Sequence, residues 1–265
     1  MDLPLHEAPN DPQAQARHDA ARFRGALLAT LCVVALLWAI KTVELVTGLS
    51  FSPWAIAPRE PAGLVGLLSA PLLHGSVPHL IANTLPLLVL GTLGLVLYPR
   101  AMWRALPLIW IGSGLFVWLF GRPSFHLGAS GLAHGLMFFV FVTGVLRRDR
   151  AAIAGAMITF FLYGGMVLTV LPQEPGISWE AHLGGALSGL LAAGLWRGLD
   201  PAAPRKRYSW ELEAEAESLA QRERDALEPP SPQDVPVLWQ RPDPEPQHGQ
   251  VLPFRPRRHG ETDRS

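Results

Sequence analysis

Long apolar runs separated by short polar turns occupy the chain from Ala26 to Trp196. A helix that crosses the ~30 Å hydrocarbon layer needs about 20 apolar residues, somewhat fewer where the bilayer is thin. Six runs are candidates: Ala26–Val46, Leu80–Leu97, Ala105–Phe120, Ser130–Leu146, Ala151–Val170 and His182–Trp196. The first carries Lys41 and Glu44 near its far end, where the two can pair at i,i+3. The pattern predicts an all-α membrane protein, a bundle of six transmembrane helices. Several runs hold small residues four apart, Gly185 and Gly189 among them, a spacing that lets helix backbones approach closely in lipid. That feature signals a packed bundle and says nothing about chemistry.

Polar sequence flanks the runs, giving three expected regions: a segment over residues 1–24, a membrane domain over 25–199 and a tail over 200–265. Met1–His18 is acidic and contains proline, and no small-residue cleavage pattern follows the first apolar run, so a cleaved signal peptide is not expected. The tail is rich in Pro, Glu and Arg. Pro229–Pro236 and Arg241–Pro246 read as disordered, while the alternation of acid, alanine and base over Trp210–Leu227 fits a short solvated helix. A solubilising role is expected for this tail, with a partner-docking segment as the alternative. Composition agrees: 49% of residues are hydrophobic and only 17% charged, against about 25% charged in soluble domains. The net charge of zero hides an asymmetric distribution and gives no sign of a nucleic-acid surface. The single cysteine, Cys32, rules out an internal disulfide framework or a cysteine-based metal site.

Basic residues in short loops set orientation. Arg17, Arg22, Arg24, Arg100, Arg104, Arg147, Arg148, Arg150, Arg197, Arg205, Lys206 and Arg207 fall on one side, and only Arg59 and Arg122 on the other. Both termini are therefore expected in the cytoplasm, with the loop Thr47–Pro78 outside, and a bacterial inner membrane is the expected location.

Polar groups in membrane helices are costly and are functional candidates by default. His79, Asn83, Ser130 and His182 all sit at outer helix ends on this topology, at one depth. His79 and Asn83 are four apart and share a helical face. Both offer side-chain N–H donors of the kind an oxyanion hole uses. A serine that opens a helix lies in the positive end of the helix dipole, and a histidine supplies the base that activates a hydroxyl. From Ser130 to Leu146 a helix extends roughly 25 Å at ~1.5 Å per residue, so Ser130 is expected below the outer surface but within reach of water. Taken singly, Ser130 reads as an N-cap, His182 as a packing residue and Asn83 as interhelical glue. Jointly they form a set with complementary chemical roles.

The motifs around these residues resemble those of the rhomboid family of intramembrane serine proteases. Gly128-Ala129-Ser130-Gly131 looks like its GxSG signature, His74…His79…Asn83 resembles its His-x4-His-x3-Asn block, and Ala181-His182-Leu183-Gly184-Gly185 through Gly189 resembles its AHxxGxxxG helix. Leu132 distinguishes the motif from the nucleophile elbow of soluble hydrolases. The resemblance implies a Ser130–His182 dyad without a third carboxylate. It implies an oxyanion hole from the Ser130 N–H, His79 and Asn83, and an ordering role for His74. Gly131 and Gly185 would let the fourth and sixth helices pack closely, and the fifth helix with the loop Leu171–Ala181 would gate entry. The implied partners are single-span membrane proteins within the lipid bilayer, cleaved without a cofactor.

Some positions depart from the family pattern. Gly63-Leu64-Val65-Gly66 stands where many rhomboids carry a Trp-Arg pair, with Trp54 and Arg59 upstream and apart. His134 replaces an aromatic that stacks near the catalytic histidine; it is expected to stack, with competition for the proton as the alternative. His126 is expected to be a loop hydrogen-bonding residue. The histidines lack HExxH or similar spacing, and no metal is expected. The alternative to a protease is an inactive rhomboid-like protein that binds membrane helices. A channel or transporter would instead show charged midplane residues or broken helices in two related halves.

Overall fold

The computed structural model describes residues 12–172, 176–202 and 209–227. The chain divides into two compact units, Met1–Pro204 and Arg205–Ser265. The first unit contains six long helices: α1 (Pro12–Thr47), α2 (Val77–Leu97), α3 (Pro99–Phe120), α4 (Ser130–Arg147), α5 (Arg150–Tyr163) and α6 (Trp179–Trp196). A run of short turns of helix, from Ser52 to Leu72, fills the long connection between α1 and α2. Of the second unit, the helix α7 (Ser209–Leu227) is described; the segments Pro229–Pro236 and Arg241–Pro246 lie outside the described residues.

Local chemistry explains the helix starts. Ser76 caps α2 by accepting from the His79 N–H, and Ser178 caps α6 by accepting from that of Ala181. The Asp149 carboxylate does the same for α5, 3.0 Å from the Ala152 nitrogen. Each satisfies a donor that the first turn leaves unpaired. The residue before α3, Tyr98, offers no side-chain cap. Asp200 supplies one from across the bundle, its two carboxylate oxygens 2.9 and 3.0 Å from the Arg100 and Ala101 nitrogens. With Pro99 in its first turn and this cap, α3 starts ahead of the expected Ala105 and takes in Arg100 and Arg104. The α-helical part of the fifth run stops at Tyr163 and tightens into a 3₁₀ segment over Gly164–Val170. The Gly164-Gly165 pair marks the change, since glycine is the weakest helix former after proline. Residues 12–24 extend α1 as continuous helix.

Five helical stretches are long and apolar enough to cross a membrane. The sixth run, α6, is not among them, because Glu180, His182 and Ser188 and its glycines dilute its apolar character. One face of it packs extensively on α4 and α3, while Leu187, Leu190, Leu191 and Leu195 on the other face are exposed. Glycines permit that contact. A methyl group on Gly185 would collide with the Gly131 carbonyl, and one on Gly189 with that of Gly135. The Ser113 hydroxyl of α3 donates to the Ala181 carbonyl at 2.9 Å beside the same crossing. The start of α4 is thereby held against the start of α6.

Candidate active site

Four elements converge on a cavity of about 850 Å³. His79, Asn83, Ser130, His134 and His182 all line it, joined by His126, Tyr163 and Met166. Ser130 is the first residue of α4 and half-buried; His182, Asn83 and His134 are buried. The His74 ring does not line the cavity.

His182 is oriented by a main-chain oxygen. Its Nδ1 lies 2.9 Å from the Thr169 carbonyl, on the 3₁₀ segment. A carbonyl only accepts, so Nδ1 carries the proton and Nε2 is left with its lone pair. The His134 ring stacks on His182 at 3.8 Å between centroids and 11° between planes. His134 is itself tethered twice, Nδ1 to the Ser130 carbonyl at 2.7 Å and Nε2 to the Thr169 hydroxyl at 2.8 Å. Among the described residues, no hydrogen bond joins the Ser130 hydroxyl to His182. Catalytic hydrogen bonds are often long without substrate and close only around it.

On the opposite wall, Asn83 donates one amide N–H to the His79 carbonyl at 2.9 Å, which leaves its second N–H available. Gly128 makes the approach of His79 to the Ser130 loop possible. Its φ of +124° suits glycine, and a Cβ there would strike the His79 ring. The Gly128 nitrogen donates to the Ala70 carbonyl at 2.8 Å, pinning the loop to the α1–α2 connection.

His74 lies behind this wall. Its ring meets that of His79 edge-on at 5.2 Å, and its Nε2 accepts from the Ala129 N–H at 3.4 Å. Burial lowers its pKa to about 4, with the positive charges of His79 and Lys41 acting in the same direction. The Lys41 ammonium bonds the His74 carbonyl at 2.9 Å and Glu44 at 2.7 Å, so the i,i+3 pair on α1 also anchors the loop.

Two features escaped the sequence. Thr169 touches both ring histidines. Arg122 and Glu180 pair at 2.7 Å, and Arg122 also reaches the Ile177 carbonyl at 2.6 Å, tying the loop before Ser130 to the start of α6. His126, between them, is the hydrogen-bonding loop residue expected: its Nδ1 accepts from the Ser178 hydroxyl at 2.7 Å and its Nε2 donates to the Arg122 carbonyl at 3.0 Å. Arg122 was visible as one of two basic residues on the expected outer side, but nothing in its spacing pairs it with Glu180. A carbonyl oxygen such as that of Thr169 has no sequence signature at all.

Comparison with known proteins matches residues 61–198 to the model of the Rhomboid domain. An uncharacterized protein of Mycobacterium tuberculosis is 41% identical over 173 residues, which cover 62% of this chain and 72% of the relative. One of Mycobacterium leprae is 38% identical over 173 residues, covering 62% and 68%. One of Mycobacterium bovis is 41% identical over the same length, 62% and 72%.

Proposed function

The chain belongs to the rhomboid family, and from that premise we propose that it is an intramembrane serine endopeptidase acting on single-span membrane proteins. The observation that carries this reading is the convergence of Ser130, His182, His79 and Asn83 on one cavity, with His182 Nε2 left free as a base. In the proposed reaction, Nε2 takes the proton of the Ser130 hydroxyl as the oxygen attacks a peptide carbonyl, and later returns it to the leaving amine. The main-chain N–H of Ser130, the second Asn83 N–H and the His79 ring would receive the oxyanion. Substrates would be helices that unwind readily, because a hydrogen-bonded helix hides its scissile carbonyl. A bacterial inner membrane, with both termini cytoplasmic and the cavity opening outward, is the location that the arginine distribution and the mycobacterial relatives support.

The open Ser130–His182 geometry favours one second reading, an inactive relative that retains membrane helices. Fluorophosphonate labelling of the detergent-purified full chain separates the two without knowledge of a substrate. The protease reading expects labelling of wild type that disappears in Ser130→Ala and in His182→Ala. A folded wild type that stays unlabelled would leave the helix-binding reading.

A further inference from the structure

The stacked pair of histidines is held from outside the helices that carry them. His134 belongs to α4 and His182 to α6, yet one residue of the 3₁₀ segment after α5 contacts both. We propose that Thr169 is a positioning residue of the reaction, orienting His182 through its carbonyl oxygen and His134 through its hydroxyl. This rests on the protease reading given above.

Hydrogen-bond bookkeeping supports the assignment. The Ser130 carbonyl only accepts, so the proton of a neutral His134 must sit on Nδ1. Its Nε2 is then an acceptor and requires a donor. The Thr169 hydroxyl, 2.8 Å away, is the donor this nitrogen has among the described residues. The same hydroxyl also lies 2.9 Å from the Met166 carbonyl, which competes for its single hydrogen. The outcome is a closed circuit. The main chain of Ser130 fixes His134, Thr169 fixes the far side of His134, Thr169 fixes His182, and His182 lies flat on His134. The nucleophile and the base are thus indexed to each other through the 3₁₀ segment, without a carboxylate. A threonine in a helical turn often does no more than bond its own main chain. If the Met166 contact were the whole role of this hydroxyl, valine would replace it at little cost.

The test measures fluorophosphonate labelling of the full chain in detergent over a range of probe concentrations and times. It separates the saturating rate constant, the half-saturating concentration and the fraction of chains labelled. Thr169→Val is expected to slow the saturating rate about tenfold, the effect of one lost hydrogen bond, with concentration dependence, labelled fraction and melting temperature unchanged. Thr169→Ser should stay within about twofold of wild type, since it keeps the hydroxyl. His134→Phe, which keeps a flat ring but loses the bonds to both Thr169 and the Ser130 carbonyl, should slow the rate at least as much. Thr169→Val should add little to it, because both remove the same bond. A rate in Thr169→Val equal to wild type would overturn the proposal, as would a loss confined to the labelled fraction or the melting temperature. Absence of Ser130-dependent labelling in wild type would instead overturn the protease reading, and the positioning role with it.

Discussion

Gly128 carries two demands at once. Its backbone is left-handed, and the space a side chain would fill is already taken by the His79 imidazole. Relief of either demand alone does not admit a larger residue. Gly128→Ala is therefore expected to cost about 1–3 kcal/mol through backbone strain and to push His79 out of the cavity wall. Its readouts are a lower melting temperature and loss of Ser130-dependent labelling; labelling at the wild-type rate would show that the ring moves aside freely. Side chains of this kind were legible in advance. Ser130, His182, His79 and Asn83 stand out because each is polar at the end of an apolar run. Thr169 did not, since its hydroxyl is unremarkable beside an apolar helix and its carbonyl is common to every residue.

At the scale of elements, the helix starts divide into local and remote cases. Ser76, Asp149 and Ser178 cap the helices they precede, and capping residues ahead of an apolar run are readable. Asp200 caps α3 from 100 residues away, and only the packed bundle shows it. The sequence alone puts Asp200 at the head of the tail, yet it is 5% exposed and its main-chain carbonyl also receives Arg147 at 2.8 Å. Removing its carboxylate leaves two N–H groups of α3 unpaired. Asp200→Ala should lower stability by roughly 1–2 kcal/mol, the usual weight of a helix cap, read as a shifted denaturation midpoint in detergent. Labelling at Ser130 should persist, because this cap lies at the opposite end of α3 and α6 from the cavity. The fifth run keeps its expected extent to Val170, but hydropathy does not show that helical geometry changes at Gly164-Gly165.

On the scale of the whole molecule, the cavity end of the bundle is joined by a few polar bridges. Arg122 to Glu180 connects the loop after α3 to α6, and Lys41 to the His74 carbonyl connects α1 to the loop before α2. Glu180 is fully buried, its charge balanced by an arginine that is only half-exposed. The His74 ring continues the second bridge to the start of α4 through the Ala129 N–H. Its lowered pKa makes this joint sensitive to acid. An unfolded histidine takes up a proton near pH 6.5, whereas this one resists until about pH 4. Between those values the unfolded state binds more protons, so stability is complete above the upper value and declines as pH falls toward the lower. Thermal melts of the Ser130→Ala protein should fall across that window, and His74→Gln should flatten the fall. Equal slopes in the two proteins would place the acid sensitivity elsewhere. The overall plan of apolar helices with polar residues at their ends was legible because lipid enforces it on the chain; these bridges were not, since each joins segments that only the packed fold brings together.

The link between His182 and Thr169 has a consequence for mutational robustness. Where a base is oriented by an aspartate, one substitution to asparagine or alanine deletes the partner. The oxygen that holds His182 Nδ1 belongs to the main chain, and every one of the twenty amino acids supplies it, proline included. Point mutation at 169 can shift that oxygen but never abolish it. The Nδ1 bond of the ring is therefore inherited with the path of the backbone, to be lost by insertion, deletion or refolding of the segment, while an exchange of the side chain at 169 acts through the hydroxyl and His134.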